Sequence, residues 1–133
     1  MSDPNIALLR ELYASWGRGD FATAYGFDPE VEFARIGTGP GGLDGEWHGL
    51  DDMWAVIVDW LRTWEFLQIE GEEFIELGDR ALVFARHSGR GKHSGVPMNR
   101  EVGDLFTFRD GKIVRYESYW DRAEARRAAG LEP

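Results

Sequence analysis

The sequence predicts a single α+β domain in which a curved, mostly antiparallel sheet packs against helices. Apolar residues recur at helical spacing in the first half of the chain, whereas the second half is a series of strand-like runs separated by turn residues. At 133 residues the chain has room for one domain with a sizeable core. The predicted order of elements is α-α-β-α-β-β-β-β-α.

Three helices are predicted before the main run of strands. Asp3 caps a helix that ends at Gly17, and Asp20 caps a short one over residues 21–27. A third helix begins at Leu50 and runs for about fifteen residues, with an apolar stripe along one side. Two aspartates lie in its first turn, where the helix dipole favours negative charge.

Five strands and a final helix complete the domain. The first strand alternates, so that Val31, Phe33 and Arg35 share one face. A short last helix has Asp121 as its cap and Gly130 as its stop. The predicted strands cover residues 30–36, 66–77, 80–90, 98–108 and 112–120.

The register of the last hairpin follows from its apolar faces. The even-numbered residues are the more apolar ones in both strands, so paired residue numbers must sum to an even number. A three-residue loop over 109–111 meets this condition by pairing Phe108 with Lys112. The prediction places Asp104 opposite Tyr116.

Asp104 is the main catalytic candidate. Burial among apolar neighbours raises the pKa of a carboxyl group, so that it can donate a hydrogen bond to a developing oxyanion. Tyr116 is expected to supply a second donor or to bond to Asp104. Arg86, on the strand before, is expected to point into the same interior, where it either supports the site or forms a buried ion pair with Asp104.

The three histidines predict no metal site, because no carboxylates accompany them at ligand spacing. His48 precedes the third helix, where it serves as an acid or base at a pocket rim or makes a local hydrogen bond. His87 is expected to point away from Arg86, toward an interface or the surface, and His93 lies in a loop. We expect neither a metal nor a cofactor.

Charge and composition narrow the classes of partner. The formal net charge of −9 argues against nucleic acid and anionic membranes, which need clustered positive charge. The chain has no cysteine, and its start lacks the basic and apolar regions of a signal peptide, so a cytoplasmic location is expected.

Two glycine-rich segments invite a phosphate-binding interpretation. The run G-T-G-P-G-G over 37–42 fits a dinucleotide motif, but no helix follows it directly, so we interpret residues 37–45 as a flap that admits a ligand. The hairpin HSGRGKHSG over 87–95 lacks the first glycine of a Walker A loop and joins two strands. A mobile basic hairpin that attracts an anionic group stays possible there.

Three stretches resemble the nuclear transport factor 2-like superfamily and, within it, the SnoaL-like branch. They are the opening LLRELYASWGRGDFATAY, the W-H-G-L before the third helix, and the ending GDLFTFRDGKIVRYESYWDRAEARRAAGL. The resemblance covers nearly the whole chain and implies one domain over 1–133. It implies a cone-shaped α+β barrel around an apolar pocket, in homodimers that pair their outer sheet faces.

The resemblance also implies which residues meet a small hydrophobic ligand. The expected ligand-binding residues are Trp16, Phe33, Arg35, Trp54, Phe84, Ser88, Arg100, Val102, Phe106, Ser118 and Trp120.

Two enzymes of this fold provide partial matches for a catalytic site. Asp104 matches the oxyanion-hole acid of ketosteroid isomerase, but Phe33 stands at the position of its base and Leu12 at that of its helix tyrosine. Arg86 matches the arginine of limonene epoxide hydrolase, while serines replace its two aspartates. Polyketide cyclases of this fold use a pocket acid, a role open to Asp104.

Two functions therefore follow from the sequence, because this scaffold carries isomerases, hydrolases, dehydratases, cyclases and proteins without catalysis. One is an enzyme acting on an apolar, carbonyl-bearing molecule, with Asp104 as acid or oxyanion donor and Tyr116 and Arg86 supporting it. The other is a non-catalytic ligand-binding or accessory dimer, whose pocket holds a ligand or is filled by side chains.

Overall fold

A computed structural model describes residues 4–20, 26–37 and 44–131 of the chain. These described residues form three helices and six strands, which confirms the α+β class. Residues 21–25, which carry most of the predicted second helix, lie outside them, and Phe27 already belongs to a strand. The elements are α1 Pro4–Gly17, β1 Phe27–Ile36, β2 Gly45–His48, α2 Leu50–Leu61, β3 Trp64–Leu77, β4 Arg80–Gly91, β5 Pro97–Arg109, β6 Lys112–Tyr119 and α3 Arg122–Ala128.

The six strands form one sheet in the order β2-β1-β6-β5-β4-β3. Every neighbouring pair is antiparallel except β1 and β6, which run parallel. The sheet begins at β2 and ends at β3, so it is not closed into a complete barrel. The parallel pair places β1, which is the second strand of the sheet, beside the last strand of the chain, β6.

Helices cover both faces of the sheet, and this divides the core into two clusters. The inner cluster contains the buried side of α1, including Leu9 and Leu12, together with residues of α2 and of five strands. The outer cluster is smaller, and in it Ala125 of α3 packs with Leu82 and Leu105. Strands such as β4 and β5 are therefore apolar on both faces, since α1 and α2 pack on the inner face and α3 packs on the outer one.

The helix boundaries follow local chemistry. The buried residues of α1 have i, i+3, i+4 and i+7 spacing, as expected for one helix face. The carboxylate of Asp121 caps α3 by accepting a hydrogen bond from the main-chain N–H of Ala123 at 2.8 Å. Gly130 follows α3 with a φ of 82°, a conformation that glycine adopts without strain. The cap and the stop predicted for α3 are confirmed, whereas Asp3, the predicted cap of α1, lies outside the described residues.

The predicted hairpin register was wrong by two residues. Arg109 pairs with Lys112 across a two-residue turn, in which Asp110 and Gly111 both have positive φ. A register shift then falls in β6 at Val114, and beyond it Asp104 pairs with Ser118 rather than with Tyr116. The even-sum condition holds along the body of the hairpin, but a bulge in the strand satisfies it instead of a longer loop.

The glycine-rich segment before α2 is in part a strand. Gly45–His48 forms β2, which pairs with β1. Residues 38–43 of the predicted flap lie outside the described residues. None of the described helices combines the length and the apolar character needed to cross a membrane.

Candidate functional site

Sheet register aligns three polar side chains on the inner face. Arg35 of β1 pairs with Ser118 of β6, and Ser118 pairs with Asp104 of β5. Each of the three is buried, with 7%, 9% and 1% of its surface exposed, respectively. Adjacent strands lie about 4.8 Å apart. Ser118 therefore lies between the buried cation Arg35, one strand away on one side, and the buried carboxyl group of Asp104, one strand away on the other.

An aromatic row lies directly beside the polar one. Phe33 pairs with Tyr116, and Tyr116 pairs with Phe106. The ring of Tyr116 stacks on Phe106 with centroids 4.7 Å apart and lies 5.0 Å from Phe33. Such contacts stabilise the site by about 0.5 to 1.5 kcal/mol per pair beyond the apolar area they bury. They also hold the Tyr116 ring in place.

Asp104 is a buried acid with one defined partner. The phenol of Tyr13, on α1, donates a hydrogen bond to Oδ2 of Asp104. Oδ1 has no hydrogen-bond partner among the described residues. Burial raises the pKa of Asp104 from 3.8 to about 6, although the nearby hydroxyls of Tyr13 and Ser118 and the charge of Arg35 act the other way. Asp104 is therefore mostly ionised at neutral pH and mostly protonated below pH 6.

A tyrosine of α1 lies beside Asp104. Leu12, which the sequence comparison placed at the helix-tyrosine position of ketosteroid isomerase, precedes it in the chain, and Tyr13 makes the contact with Asp104. Leu12 is buried in the inner cluster. Tyr13 is 3% exposed, and burial followed by the charge of Asp104 raises its pKa well above 10. It thus stays a hydrogen-bond donor to the carboxylate.

Tyr116 and Ser118 present hydroxyl groups beside the acid. Both side chains line the pocket described below. Burial, followed by the charge of Asp104, raises the pKa of Tyr116 well above 10, so its phenol stays protonated. The hydroxyl of Ser118 lies within hydrogen-bonding reach of both Asp104 and Tyr116, and these interactions act to lower the pKa of each. The three groups therefore form one polar cluster at the edge of the pocket.

The pocket lies between α1, α2 and the inner face of the sheet. Its volume is about 50 Å³. This is roughly a third of the cavity of about 150 Å³ that holds a benzene molecule. Its wall consists of Trp16, Phe33, Arg35, Trp54, Ile57, Trp60, Leu61, Ile69, His87, Tyr116, Ser118 and Trp120. Most of these described wall residues are apolar, and none of them is an aspartate or a glutamate.

Arg35 is the charged residue of the pocket wall. Its guanidinium lies 5.2 Å from the ring centroid of Trp60 and 5.6 Å from that of Trp120. Cation–π contacts of this kind are worth about 0.5 to 2 kcal/mol. Burial lowers the pKa of Arg35, which reflects the loss of water around its charge.

His87 stands on the same wall as a neutral imidazole. Burial, reinforced by the charge of Arg35, lowers its pKa to about 3. The ring lies 5.4 Å from Trp60 and 5.8 Å from Trp120, and Nδ1 has no hydrogen-bond partner among the described residues. The expectation that His87 faces an interface or the surface was wrong.

The structure places Arg86 on the opposite face of the sheet from Asp104. Val83 pairs with Asp104 and His87 pairs with Arg100, so the odd-numbered residues of β4 face the pocket side. Arg86 instead forms salt bridges with Glu72 at 3.0 Å and Glu101 at 3.4 Å. It neither lines the pocket nor pairs with Asp104.

Two other expected ligand contacts share this outer face. Phe84 packs in the outer cluster beneath α3, and Ser88 follows the same alternation. Because α3 covers this side, both faces of β4 are apolar, and alternation alone does not tell which one faces the pocket. The error for Arg86, Phe84, Ser88 and His87 has this single cause.

The remaining expected residues lie on the inner side of the sheet, in two groups. Seven line the pocket: Trp16, Phe33, Arg35, Trp54, Tyr116, Ser118 and Trp120. Val102 and Phe106 are fully buried in the inner cluster, next to the wall rather than part of it. Arg100 lies over Trp120 at 5.6 Å and donates to its main-chain oxygen at 3.3 Å.

Sequence reasoning missed five members of the wall: Ile57, Trp60, Leu61, Ile69 and His87. Trp60 follows Met53 by seven residues, and these are the two buried residues of α2, so a strict heptad count would have found it. No comparable signal marks Ile69, whose burial depends on how β3 crosses α1.

The histidines and acidic groups outside the pocket form no recognisable metal centre. Among the described residues, no group of three or more His, Asp or Glu side chains could hold a metal ion. His48 shares a hydrogen bond of 2.9 Å with Glu30, and both side chains are exposed. Of the two roles predicted for His48, the structure shows the local hydrogen bond.

Comparison with known families identifies this architecture. A model of the SnoaL-like domain matches residues 9–116. The chain belongs to the SnoaL-like domain family. No curated protein shows significant sequence similarity to it.

Solved structures of nuclear transport factor 2-like proteins are similar to this SnoaL-like domain. One is a protein of unknown function from Burkholderia pseudomallei, with 26% identity, a TM-score of 0.74 and coverage of 95% of this chain and 97% of that one. Another is TerC co-crystallised with polyporic acid, with 25% identity, a TM-score of 0.75 and coverage of 96% and 99%. A protein with a ketosteroid isomerase-like fold from Catenulispora acidiphila, in complex with trimethylamine, has 12% identity, a TM-score of 0.69 and coverage of 99% and 96%. In all three the likeness in fold extends over almost the full length of both chains.

Proposed function

We propose that this SnoaL-like domain binds a small apolar molecule with a carbonyl oxygen and converts it by proton transfer, in an isomerase-, cyclase- or dehydratase-type reaction. The observation that carries the proposal is a buried carboxyl group, Asp104, directly behind two hydroxyls that line an apolar pocket. TerC, of the same fold, was co-crystallised with polyporic acid, which supports a pocket for an organic molecule.

Tyr116 serves as the oxyanion donor in this mechanism. Its side chain lines the pocket, and its raised pKa keeps the proton on the phenol. A carbonyl oxygen that gains negative charge accepts a hydrogen bond from this phenol, which leaves the hydroxyl of Ser118 free to relay a proton. Donors already held in place in an apolar site stabilise such charge more effectively than water does.

Asp104 supplies or removes the proton. A pKa of about 6 lies close to neutral pH, where a catalytic group transfers protons in both directions most effectively. The ionised form acts as a base, and the protonated form, which prevails below pH 6, acts as an acid. Because Asp104 is not part of the pocket wall, its proton passes through Ser118, its partner in the ladder.

The test is exchange of a carbon-bound proton, since this requires no knowledge of the product. The probes are acetone and butanone in D₂O, which are small enough for the pocket, with deuterium uptake next to the carbonyl followed by NMR. We expect the wild-type protein to accelerate the exchange, and Asp104→Asn to lower this rate by about 100-fold or more. Tyr119→Phe, which removes a phenol from the outer face of the sheet, is the control variant and should exchange at the wild-type rate. Equal rates for Asp104→Asn and wild type would contradict the catalytic role.

A non-catalytic binding protein is the second candidate, and the size of the pocket favours it. A cavity of about 50 Å³ accommodates a head group but not a ring. The absence of Asp104 from the pocket wall supports the same view. On this proposal the pocket holds a ligand without changing it, and no probe exchanges faster than in buffer.

Native mass spectrometry of freshly purified protein distinguishes a retained ligand from a pocket filled only by side chains. A mass excess that is lost on denaturation reports the ligand. The same spectrum reports whether the chain forms the homodimer that we propose from its outer sheet face. A protomer of unmodified mass, with no probe bound in titrations, would contradict both candidate functions.

A further inference from the structure

We propose that the ligand is an organic monoanion whose carboxylate binds the guanidinium of Arg35, between the indole rings of Trp60 and Trp120. The inference rests on the proposed function, because it names the class of molecule that the same pocket binds. Its starting point is a positive charge that is 7% exposed and lines an otherwise apolar wall.

Arg35 has no partner for its charge within the described part of the chain. No hydrogen bond or salt bridge joins it to any of those residues. Asp104 lies two strands away, beyond Ser118, and the exposed Asp44 acts on Arg35 only at a distance. The internal segments 21–25 and 38–43, FATAY and TGPGGL, contain no acidic residue. A buried cation without a counter-charge is unfavourable, and a bound anion removes this penalty.

The groups around Arg35 also favour an acceptor-rich ligand. The indole N–H groups of Trp60 and Trp120 have no acceptor among the described residues, although both side chains line the pocket. Tyr116 and Ser118 add two hydroxyl donors. A ligand with two acceptor oxygens satisfies several of these donors together, whereas a cationic ligand satisfies none.

The number of charges sets the class of anion. Arg35 is the only cation on the described wall, because His87 is neutral there. One positive charge matches a monoanion and leaves a dianion, such as a phosphate monoester, undercompensated. The planar guanidinium forms two parallel hydrogen bonds with a planar carboxylate. A cavity of about 50 Å³ holds a group of that size.

The experiment follows the indole N–H signals of ¹⁵N-labelled protein during titration with matched acids and amides. The probes are acetate against acetamide and benzoate against benzamide, at constant pH and ionic strength. The chain has six tryptophans, whose signals are assigned with single Trp→Phe variants. Trp64 is the internal control, because its indole N–H also lacks a partner but lies outside this pocket.

We expect acetate to shift the Trp60 and Trp120 signals saturably, with an affinity at least about tenfold above that of acetamide. The Trp64 signal should shift less, since its ring packs edge-on against Trp60 but lies outside the pocket. Benzoate against acetate then reports whether the pocket opens for a ring behind the carboxylate. Equal affinity for acid and amide would overturn the anion proposal while leaving a binding pocket in place. No shift by any probe would contradict the binding function as well.

Variants of the arginine provide the second measurement. Arg35→Gln is expected to abolish the preference for acetate over acetamide, whereas Arg35→Lys keeps a weaker preference because it retains the charge without the planar fork. Arg109→Gln removes one positive charge from an exposed position and serves as the matched control. Retention of the full preference in Arg35→Gln would assign the anion to another site.

Discussion

The free energy of unfolding of Asp104→Asn, measured relative to that of wild type, should be higher at alkaline pH than at acid pH. Burial raises the pKa of Asp104 from 3.8 to about 6, so the folded state holds this proton more tightly than the unfolded state does. The stabilising contribution of the protonated group is fully present below pH 3.8 and is lost as the pH rises through about 6. Asparagine cannot ionise, and it keeps an oxygen for the phenol of Tyr13.

The expected magnitude follows from the two pKa values. A tenfold difference in proton affinity corresponds to about 1.4 kcal/mol, so ionisation of Asp104 costs the folded wild type about 3 kcal/mol above pH 7. The unfolding free energy of Asp104→Asn relative to wild type should therefore rise by about 2 to 3 kcal/mol between about pH 4 and pH 8. His87, whose lowered pKa destabilises the fold in acid, is common to both proteins and cancels in this difference.

Urea unfolding followed by tryptophan fluorescence at several pH values measures this difference. Glu65→Gln, an acid-to-amide change at an exposed position of β3, controls for the loss of one negative charge. A difference between Asp104→Asn and wild type that stays constant with pH would refute the argument. It would mean that Asp104 ionises as easily in the folded chain as in water.

Two further predictions concern the outer face, and both are measured by urea unfolding. Gly103→Ala should lower the free energy of unfolding by about 1 to 3 kcal/mol, because the added Cβ would overlap that of Ala125 on α3. Adding Ala125→Gly to this variant should recover part of the loss. If the effects of the two substitutions simply add, the contact is contradicted. Arg122→Met should cost about 1 to 3 kcal/mol, since it leaves two main-chain carbonyls without their donor. Arg86→Met should cost less than about 1 kcal/mol, because its guanidinium is more exposed, and equal losses for the two arginines would be evidence against this ranking.

The candidate site was predictable where one strand face is clearly the more apolar of the two. In β1 the alternation assigns Phe33 and Arg35 to one face, and both line the pocket. In β5 the same reasoning places Asp104 inward, and it is 1% exposed. In β4 it fails, since the outer face is also apolar beneath α3, so Arg86 was assigned to the wrong side.

The hairpin shows a second limit of the sequence pattern. The parity of the pairing follows from the apolar faces and is correct for most of the hairpin, but parity does not locate the extra residue. The structure places it in the strand at Val114, which moves Ser118 opposite Asp104. The partner of the candidate acid therefore depended on a detail that alternation does not encode.

The sequence by itself determined the α+β class, the cap and stop of α3 and the strand periods, because these depend on residues close together in the chain. It also determined that an aspartate would be buried on the inner face of β5. Tertiary structure decided that Tyr13 meets this aspartate and that Arg35 and His87 share a pocket wall with Trp60 and Trp120. Those contacts join residues far apart in the sequence, and the raised pKa of Asp104 depends on the burial they create. Periodicity describes one element at a time, whereas desolvation depends on everything packed around a group.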